Sequence, residues 1–164
     1  MRIAVLTNEY PPYSYGGAGV HVEYLTRELS RLENGENRVQ VLSFGDQEID
    51  ADNLKVEGVS SPCSLPAADP RHGKVLSALA NNLLMAGRLE EVDLVHAHTW
   101  YTHFAGCLLR ELLQVPLVLT THSLEPHRPW KEEQLGTGYG VSTWLERTAY
   151  RTSARTSSSR SLTS

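Results

Sequence analysis

Residues 2–32 read RIAVLTNEYPPYSYGGAGVHVEYLTRELSRL and contain a whole strand–loop–helix unit. Arg2–Thr7 carries the run Ile3, Ala4, Val5 and Leu6, which has the length and composition of a buried strand. Asn8–Gly17 follows as a loop of proline, tyrosine and glycine. Val22, Leu25, Leu29 and Leu32 then recur at spacings of three and four, the mark of a helix with one buried face, and Asn34-Gly35 ends it.

The same alternation continues outward. Val39–Phe44 and Leu54–Val59 read as strands, and Val75, Leu79, Leu83, Ala86 and Leu89 as a long helix closing near Gly87–Glu90. Val92–His96 reads as a buried strand, Thr102–Leu113 as a helix, Pro116–Thr121 as a strand and Gly140–Tyr150 as a last helix. Apart from Leu54–Val59, the stretch Gly45–Gly73, with Pro62, Pro66 and Pro70, reads as an excursion over the surface. Strands alternating with helices of this length predict an α/β fold, a parallel sheet with helices on both faces. Ligands of such sheets sit beyond the carboxyl ends of the strands.

Composition narrows the function classes. With 164 residues, 40% apolar and 21% charged, the chain is sized for one globular core. No run approaches the roughly 20 apolar residues of a membrane span, and no leader pattern opens the chain, so no membrane partner is expected. Cys63 and Cys107 stand far apart, giving neither a disulfide framework nor a cysteine metal site, and a cytoplasmic setting is the expectation. The net charge of −4 argues against nucleic acid as a partner. The segment 151–164, RTSARTSSSRSLTS, has three arginines, nine Ser or Thr and no acid, leaving −7 on residues 1–150. Such a tail buries too little apolar surface to offset its ordering entropy and is expected to be disordered.

Three loops at strand ends are rich in chemistry. In Asn8–Gly19, glycines at a helix N-terminus suit a phosphate, although the spacing is not G-x-G-x-x-G, which weakens a dinucleotide reading with Asp46 as the ribose-binding acid. In Val95–Thr102, His96 and His98 are expected on opposite sides of the strand unless its end twists both into the cleft. Either can donate to a sugar hydroxyl, carry a proton or bind metal. With His103 they form H-x-H-x4-H, but no companion cysteine or carboxylate supports zinc, and no metal is expected. Thr121–Trp130 brings together His122, Glu125, His127, Arg128 and Trp130, a mixture suited to a polar ligand with ring faces.

Three segments taken together, MRIAVLTNEYPPYSYGGAGVHVEYLTREL, DLVHAHTWYTHFAG and TTHSLEPHRPWKEEQLGTGYGVSTWLERTA, resemble the N-terminal domain of bacterial glycogen synthases of glycosyltransferase family 4. The likeness covers residues 1–150 and is greatest to the shorter actinobacterial type. It implies a Rossmann-like domain, the N-terminal, acceptor-side half of a GT-B enzyme, and retaining transfer of glucose from ADP-glucose or UDP-glucose. The acceptor is an α-1,4-glucan or a sugar phosphate, glucose 1-phosphate, and no cofactor is implied. By the resemblance Gly16 and Gly17 lie against the donor diphosphate, and His98 sits beside the transferred sugar as the catalytic candidate. His122 faces the cleft, and Glu9, Tyr10, Tyr15, Trp100 and Tyr101 are further acceptor-side or loop-ordering candidates. Ser14 stands where the longer starch synthases carry a lysine, which favours the shorter group.

The family's C-terminal nucleotide-sugar-binding domain has no counterpart in these residues, so the chain is expected to be nearly inactive alone. If GC-rich codons are assumed for the tail, a one-base shift reads Ala-Asp-Val-Val-Val-Ala-Val-Ser-His-Val, similar to the family's next strand. A frame disruption near Arg151 is therefore expected. Two other classes stay open at this point. One is a non-catalytic module binding α-glucan or nucleotide, and the other is a metal-dependent hydrolase built on His96, His98 and His103.

Overall fold

Strand-forming apolar segments pair edge to edge into one sheet, extended by a short strand that the sequence does not announce. A computed structural model describes residues 1–62 and 65–154, for Glu33 the backbone alone. The strands are β1 (Arg2–Thr7), β2 (Arg38–Phe44), β3 (Glu48–Ala51), β4 (Leu54–Val59), β5 (Leu94–His98) and β6 (Leu117–Thr120). Their order is β3-β4-β2-β1-β5-β6, and all neighbours run parallel except β3 against β4. The helices are α1 (Gly17–Gly35), α2 (Gly73–Ala86), α3 (Trp100–Leu113), the single turn α4 (Glu132–Leu135) and α5 (Gly138–Ser153).

The topology dictates which face each helix covers. From β1 the chain moves toward one edge of the sheet, to β2 and β4, and then crosses to β5 and β6 on the other side. Crossovers between parallel strands are right-handed, so reversing the direction of travel moves the connecting helix to the opposite face. α1 accordingly packs Val22 and Leu29 on Ile3, Val5, Val39, Val41 and Val56. On the other face Met85 of α2 and Ala105 and Leu109 of α3 meet Ala4, Leu6, Leu42, Val95 and Ala97. A third cluster joins Val75 and Ala78 to Trp100, Leu135 and Leu145, which fastens α4 and α5 to the α2–α3 side.

The expected elements are present, with shifted bounds. β5 ends at His98 rather than His96, and α3 begins at Trp100 rather than Thr102. α2 ends at Ala86 and buries Val75, Ala78, Asn82 and Met85, whereas Leu83 of the expected stripe is exposed. β3 replaces part of the expected surface excursion. Arg151–Ser153 of the expected disordered tail continue α5, while residues 155–164 lie outside the described residues. No helix among the described residues is long and apolar enough to cross a membrane.

The edge of the sheet shows how tightly the chain is folded back on itself. A Cβ at Gly58 would stand 2.5 Å from the backbone of Asp46, because the turn after β2 lies flat against β4. Backbone yields far less readily than the tip of a side chain. Gly58→Ala is expected to cost roughly 2 kcal/mol or more, read as a lower urea midpoint. An unchanged midpoint would show that this turn rearranges freely.

Candidate functional site

The loops that follow β1, β5 and β6 converge at the carboxyl end of the sheet. β1 is the strand from which the chain leaves in both directions, so this is the topological switch point where open α/β sheets leave a crevice. A cleft of about 390 Å³ lies there. Asn8, Glu9, Tyr15 and Ala18 line it from the first loop, Thr99, Trp100 and Tyr101 from the second, and His122, Ser123, Glu125 and Arg128 from the third. Lys74 of α2 and Lys131 complete a cationic side. A cleft of about 430 Å³ at the amino ends of the strands is lined by Arg2, Arg38 and Lys55, but Arg2 there is paired with Glu91 and Asp93, and Lys55 with Glu57.

In the first loop Glu9 is the organiser. Its Oε2 accepts the N–H groups of Tyr15 and Gly16, each at 3.1 Å, and its own N–H donates to Thr7 Oγ1 at 3.2 Å. A Cβ at Gly19 would stand 2.6 Å from Ser14 Oγ and 3.1 Å from Glu9 Cβ, so glycine allows α1 to close against this loop. Gly17 has nothing within 4 Å of where its Cβ would be, and Gly16 only Glu9 Oε2 at 4.0 Å. The space in front of both is open. Tyr10 is corrected as a cleft candidate: its ring is 2% exposed in the α1 core and its hydroxyl lies 3.2 Å from Thr26 Oγ1. Asp46 accepts a hydrogen bond from the Tyr13 hydroxyl at 2.6 Å.

The second loop turns on a strained residue. Thr99 has φ 63° and ψ 160°, a conformation rarely adopted by a β-branched side chain. Its N–H donates to Thr120 O at 3.0 Å and its hydroxyl to Asn8 Oδ1 at 2.8 Å, which ties the second loop to the third and the first. Buried Asn82 holds the start of α3. Its Nδ2 donates to Tyr101 O at 2.6 Å, and its Oδ1 accepts from Ala105 N at 2.7 Å. The rings of Trp100 and Tyr101 stack at 4.1 Å, Trp100 buried and Tyr101 partly buried.

Four histidines gather at the α1 side of this end of the sheet. His96 and His98 do not point to opposite sides, because residues two apart in a strand share a face. Their rings lie 4.2 Å apart, while Val95 and Ala97 point into the α2–α3 core. His96 Nε2 meets Thr120 Oγ1 at 2.7 Å, and His98 Nδ1 meets His122 Nε2 at 3.4 Å. His98 is fully buried, its Nε2 without a partner among the described residues. Burial, with His96 and His122 adding repulsion, pushes His98 down to about 2, and burial lowers His96 to about 4. Both are neutral near pH 7 and serve as hydrogen-bond partners rather than proton carriers there. His21, on α1, completes the group. One nitrogen each from His21, His98 and His122 lies within 4.8 Å of the others. His103 stands apart on α3, buried near Tyr150, so the H-x-H-x4-H reading does not assemble as a ligand set.

The third loop is anchored by a carboxylate that sequence reading passed over. Glu146 of α5 is fully buried, and its Oε2 accepts the Glu125 N–H at 2.7 Å. Glu125 is itself buried. It meets Arg128 at 3.4 Å, and the Tyr139 hydroxyl donates to its carbonyl at 2.8 Å. Burial raises both carboxyls above their ordinary range. Trp130 and His127 face solvent. Of the residues singled out from the sequence, the cleft thus collects Glu9, Tyr15, Trp100, Tyr101 and His122, with His98 behind His122.

Comparison with known proteins gives a consistent outcome. The sequence profile of Glycosyltransferase Family 4 matches residues 15–162. Over 153 residues the chain is 46% identical to an alpha-maltose-1-phosphate synthase of Mycobacterium tuberculosis, covering 91% of this chain and 35% of that protein. It is 29% identical to a glycogen synthase of the same species, covering 90% of this chain and 40% of that protein. The chain thus spans about a third of the length of the curated alpha-maltose-1-phosphate synthases it matches. The sucrose-phosphate synthase structure of Thermosynechococcus elongatus shares the fold, with a TM-score of 0.62 at 16% identity over 91% of this chain and 40% of that one. The architecture is that of the GT-B glycosyltransferases.

The buried histidines carry a signed pH dependence. His103 is lowered to about 4 by burial alone. A histidine held below its ordinary value takes up a proton more readily when unfolded, so stability falls as pH drops from about 6.5 toward 4. Glu125 and Glu146, raised in the fold, act in the opposite sense above their ordinary range, so the two effects are separated by substitution. Relative to wild type, His103→Leu is expected to gain roughly 3 kcal/mol between pH 7 and pH 4, read from urea unfolding at both pH values. Parallel pH profiles would refute it.

Proposed function

The chain belongs to glycosyltransferase family 4, and from that premise we propose that it forms the acceptor-side wall of a glucosyltransferase cleft. A glucosyl unit passes with retention of configuration from ADP-glucose or UDP-glucose to glucose 1-phosphate, giving a maltose 1-phosphate product. The bond between the anomeric carbon and the diphosphate oxygen breaks, a bond to an acceptor hydroxyl oxygen forms on the same face, and the hydroxyl proton leaves with the diphosphate. The facing wall, which grips the nucleotide, comes from a second domain. These residues supply one wall, and one wall cannot hold both sides of a transition state.

The observation that carries this reading is the convergence of three loops on one crevice. Gly16 and Gly17 leave open space at the start of a helix of 19 residues, where N–H groups and the helix dipole favour a diphosphate. Glu9 already takes the amides of Tyr15 and Gly16. The amides of Gly17 and Ala18 are therefore the ones proposed for the ligand. His98 is read as lying beside the transferred sugar from its match to the family motif, although in this chain it is fully buried behind His122. A neutral imidazole there donates to a sugar hydroxyl without opposing the positive charge that develops at the anomeric carbon, which a protonated one would do. Partly buried Tyr101 borders the sugar, and buried Trp100 backs its ring at 4.1 Å.

The acceptor is chosen by charge. Lys74, Arg128 and Lys131 all border the cleft. Arg128 is held by Glu125 at 3.4 Å, which leaves Lys74 and Lys131 for a ligand; a neutral glucan has no use for such cations, whereas a sugar phosphate does. The 46% identity to a protein named alpha-maltose-1-phosphate synthase, against 29% to a glycogen synthase, points the same way. Transfer to an α-1,4-glucan is the second reading, and it rests on that more distant relative.

The test supplies the chain with the remaining two thirds of the M. tuberculosis alpha-maltose-1-phosphate synthase as a separate polypeptide. Labelled glucose transfer from ADP-glucose and UDP-glucose is then measured with glucose 1-phosphate and with glycogen. Transfer to glucose 1-phosphate is expected only when both pieces are present, and His98→Ala should lower it about 100-fold or more. Gly17→Val, where the fold has room, should raise the donor KM while leaving the urea midpoint in place. Lys74→Gln should raise KM for glucose 1-phosphate about tenfold without affecting transfer to glycogen. Transfer to glycogen alone, insensitive to Lys74, would replace the first reading with the second.

A further inference from the structure

We propose that His21, His98 and His122 form a binding site for a divalent transition metal of the zinc class. The three come from different elements. His21 lies in the second turn of α1, His98 is the last residue of β5, and His122 lies two residues beyond Thr120, the partner of His98 in the β5–β6 register. Their rings meet pairwise, with centroids 5.8 Å apart for His21 and His98, 5.1 Å for His21 and His122, and 5.7 Å for His98 and His122. One nitrogen from each lies within 4.8 Å of the other two.

The distances match the chemistry of that ion. A tetrahedral centre with metal–nitrogen bonds of about 2.0–2.1 Å holds its ligands about 3.3–3.4 Å apart. His98 Nδ1 and His122 Nε2 already stand at 3.4 Å. His21 and His122 are exposed, so their side chains have the freedom to close the remaining gap, while His98 is fixed by burial and by the ring of His96 against it. His96 is held in turn by Thr120 Oγ1 at 2.7 Å, which keeps it from competing as a ligand.

The donor set selects the metal. Three imidazoles suit zinc, nickel, copper or cobalt and do not suit magnesium or calcium, which take oxygen. His98 is also uncommitted. Its Nδ1, the nitrogen that faces His122, meets only another imidazole. Three protein ligands leave a fourth position for water or a ligand oxygen. The binding does not rest on the glucosyl-transfer reading.

The experiment measures binding, not activity. Untagged full chain is titrated with Zn²⁺ against a chromogenic chelator and with Co²⁺ by visible absorption. One ion per chain is expected, with the intense bands of four-coordinate cobalt. His21→Ala and His122→Gln should each weaken zinc binding at least about tenfold and abolish those bands. Both positions are exposed, and unchanged circular dichroism verifies that the variants fold. His127→Gln, outside the cluster, should bind as wild type. No zinc binding by the chain, or binding that survives both cluster substitutions or is lost with His127, would overturn the site.

Discussion

β1 is hydrogen-bonded on both edges, to β2 and to β5, and every functional side chain described above depends on that double pairing. Because the chain leaves β1 first toward one edge and later toward the other, the loops at its carboxyl end and at that of β5 border one crevice. Apolar side chains alternate along β1, Ile3 and Val5 to α1, Ala4 and Leu6 to α2 and α3. The strand is thereby clamped between two cores as well as between two neighbours. A register slip of one residue would exchange these faces and disperse the loops, which is why an irregular crevice can sit on so regular a frame.

The crevice itself is held by polar contacts as well as by the apolar packing of Trp100 and Leu135. Thr99 keeps an unfavourable backbone conformation because bonds to Thr120 and Asn8 and the anchored start of α3 leave it no alternative. Glu146 does the same for the third loop from α5, and Glu9 for the first. Each loop is thus tied by a side chain that does not itself face the ligand space or that spends its hydrogen-bonding capacity on backbone. Preorganisation of this kind is what a site built on loops requires if its geometry is to match that of one built on helices or strands.

The frame was legible wherever burial follows a period. β1, β2, β4, β6 and the four longer helices show apolar residues at the spacing their packing demands. β3 was not, because its four residues are all exposed and it is held only through backbone pairing with β4. Tyr10 became a cleft candidate through the resemblance alone, with no periodic signal to show that it turns under α1 and fills its core. In the site, loop chemistry pointed to His98 and His122, and the family resemblance to Glu9, Tyr15, Trp100 and Tyr101. Glu146 and His21 were missed, since each lies on a helix far along the chain from the groups it meets. Only tertiary structure brings Glu146 to Glu125 across 21 positions. The common facing of His96 and His98 follows from the strand period, since residues two apart share a side.

The three cations beside the cleft sit in a chain whose formal net charge is −4. An anionic ligand approaching from solvent therefore meets two opposed fields of different range, a diffuse repulsion from the whole surface and a local attraction from Lys74 and Lys131. Physiological salt damps interactions beyond about 8 Å. It removes the distant repulsion before it weakens the contacts made inside the crevice. Capture of a phosphate-bearing molecule by this wall is accordingly a short-range event that moderate ionic strength leaves largely intact, in contrast to surfaces that recruit anions through long-range steering.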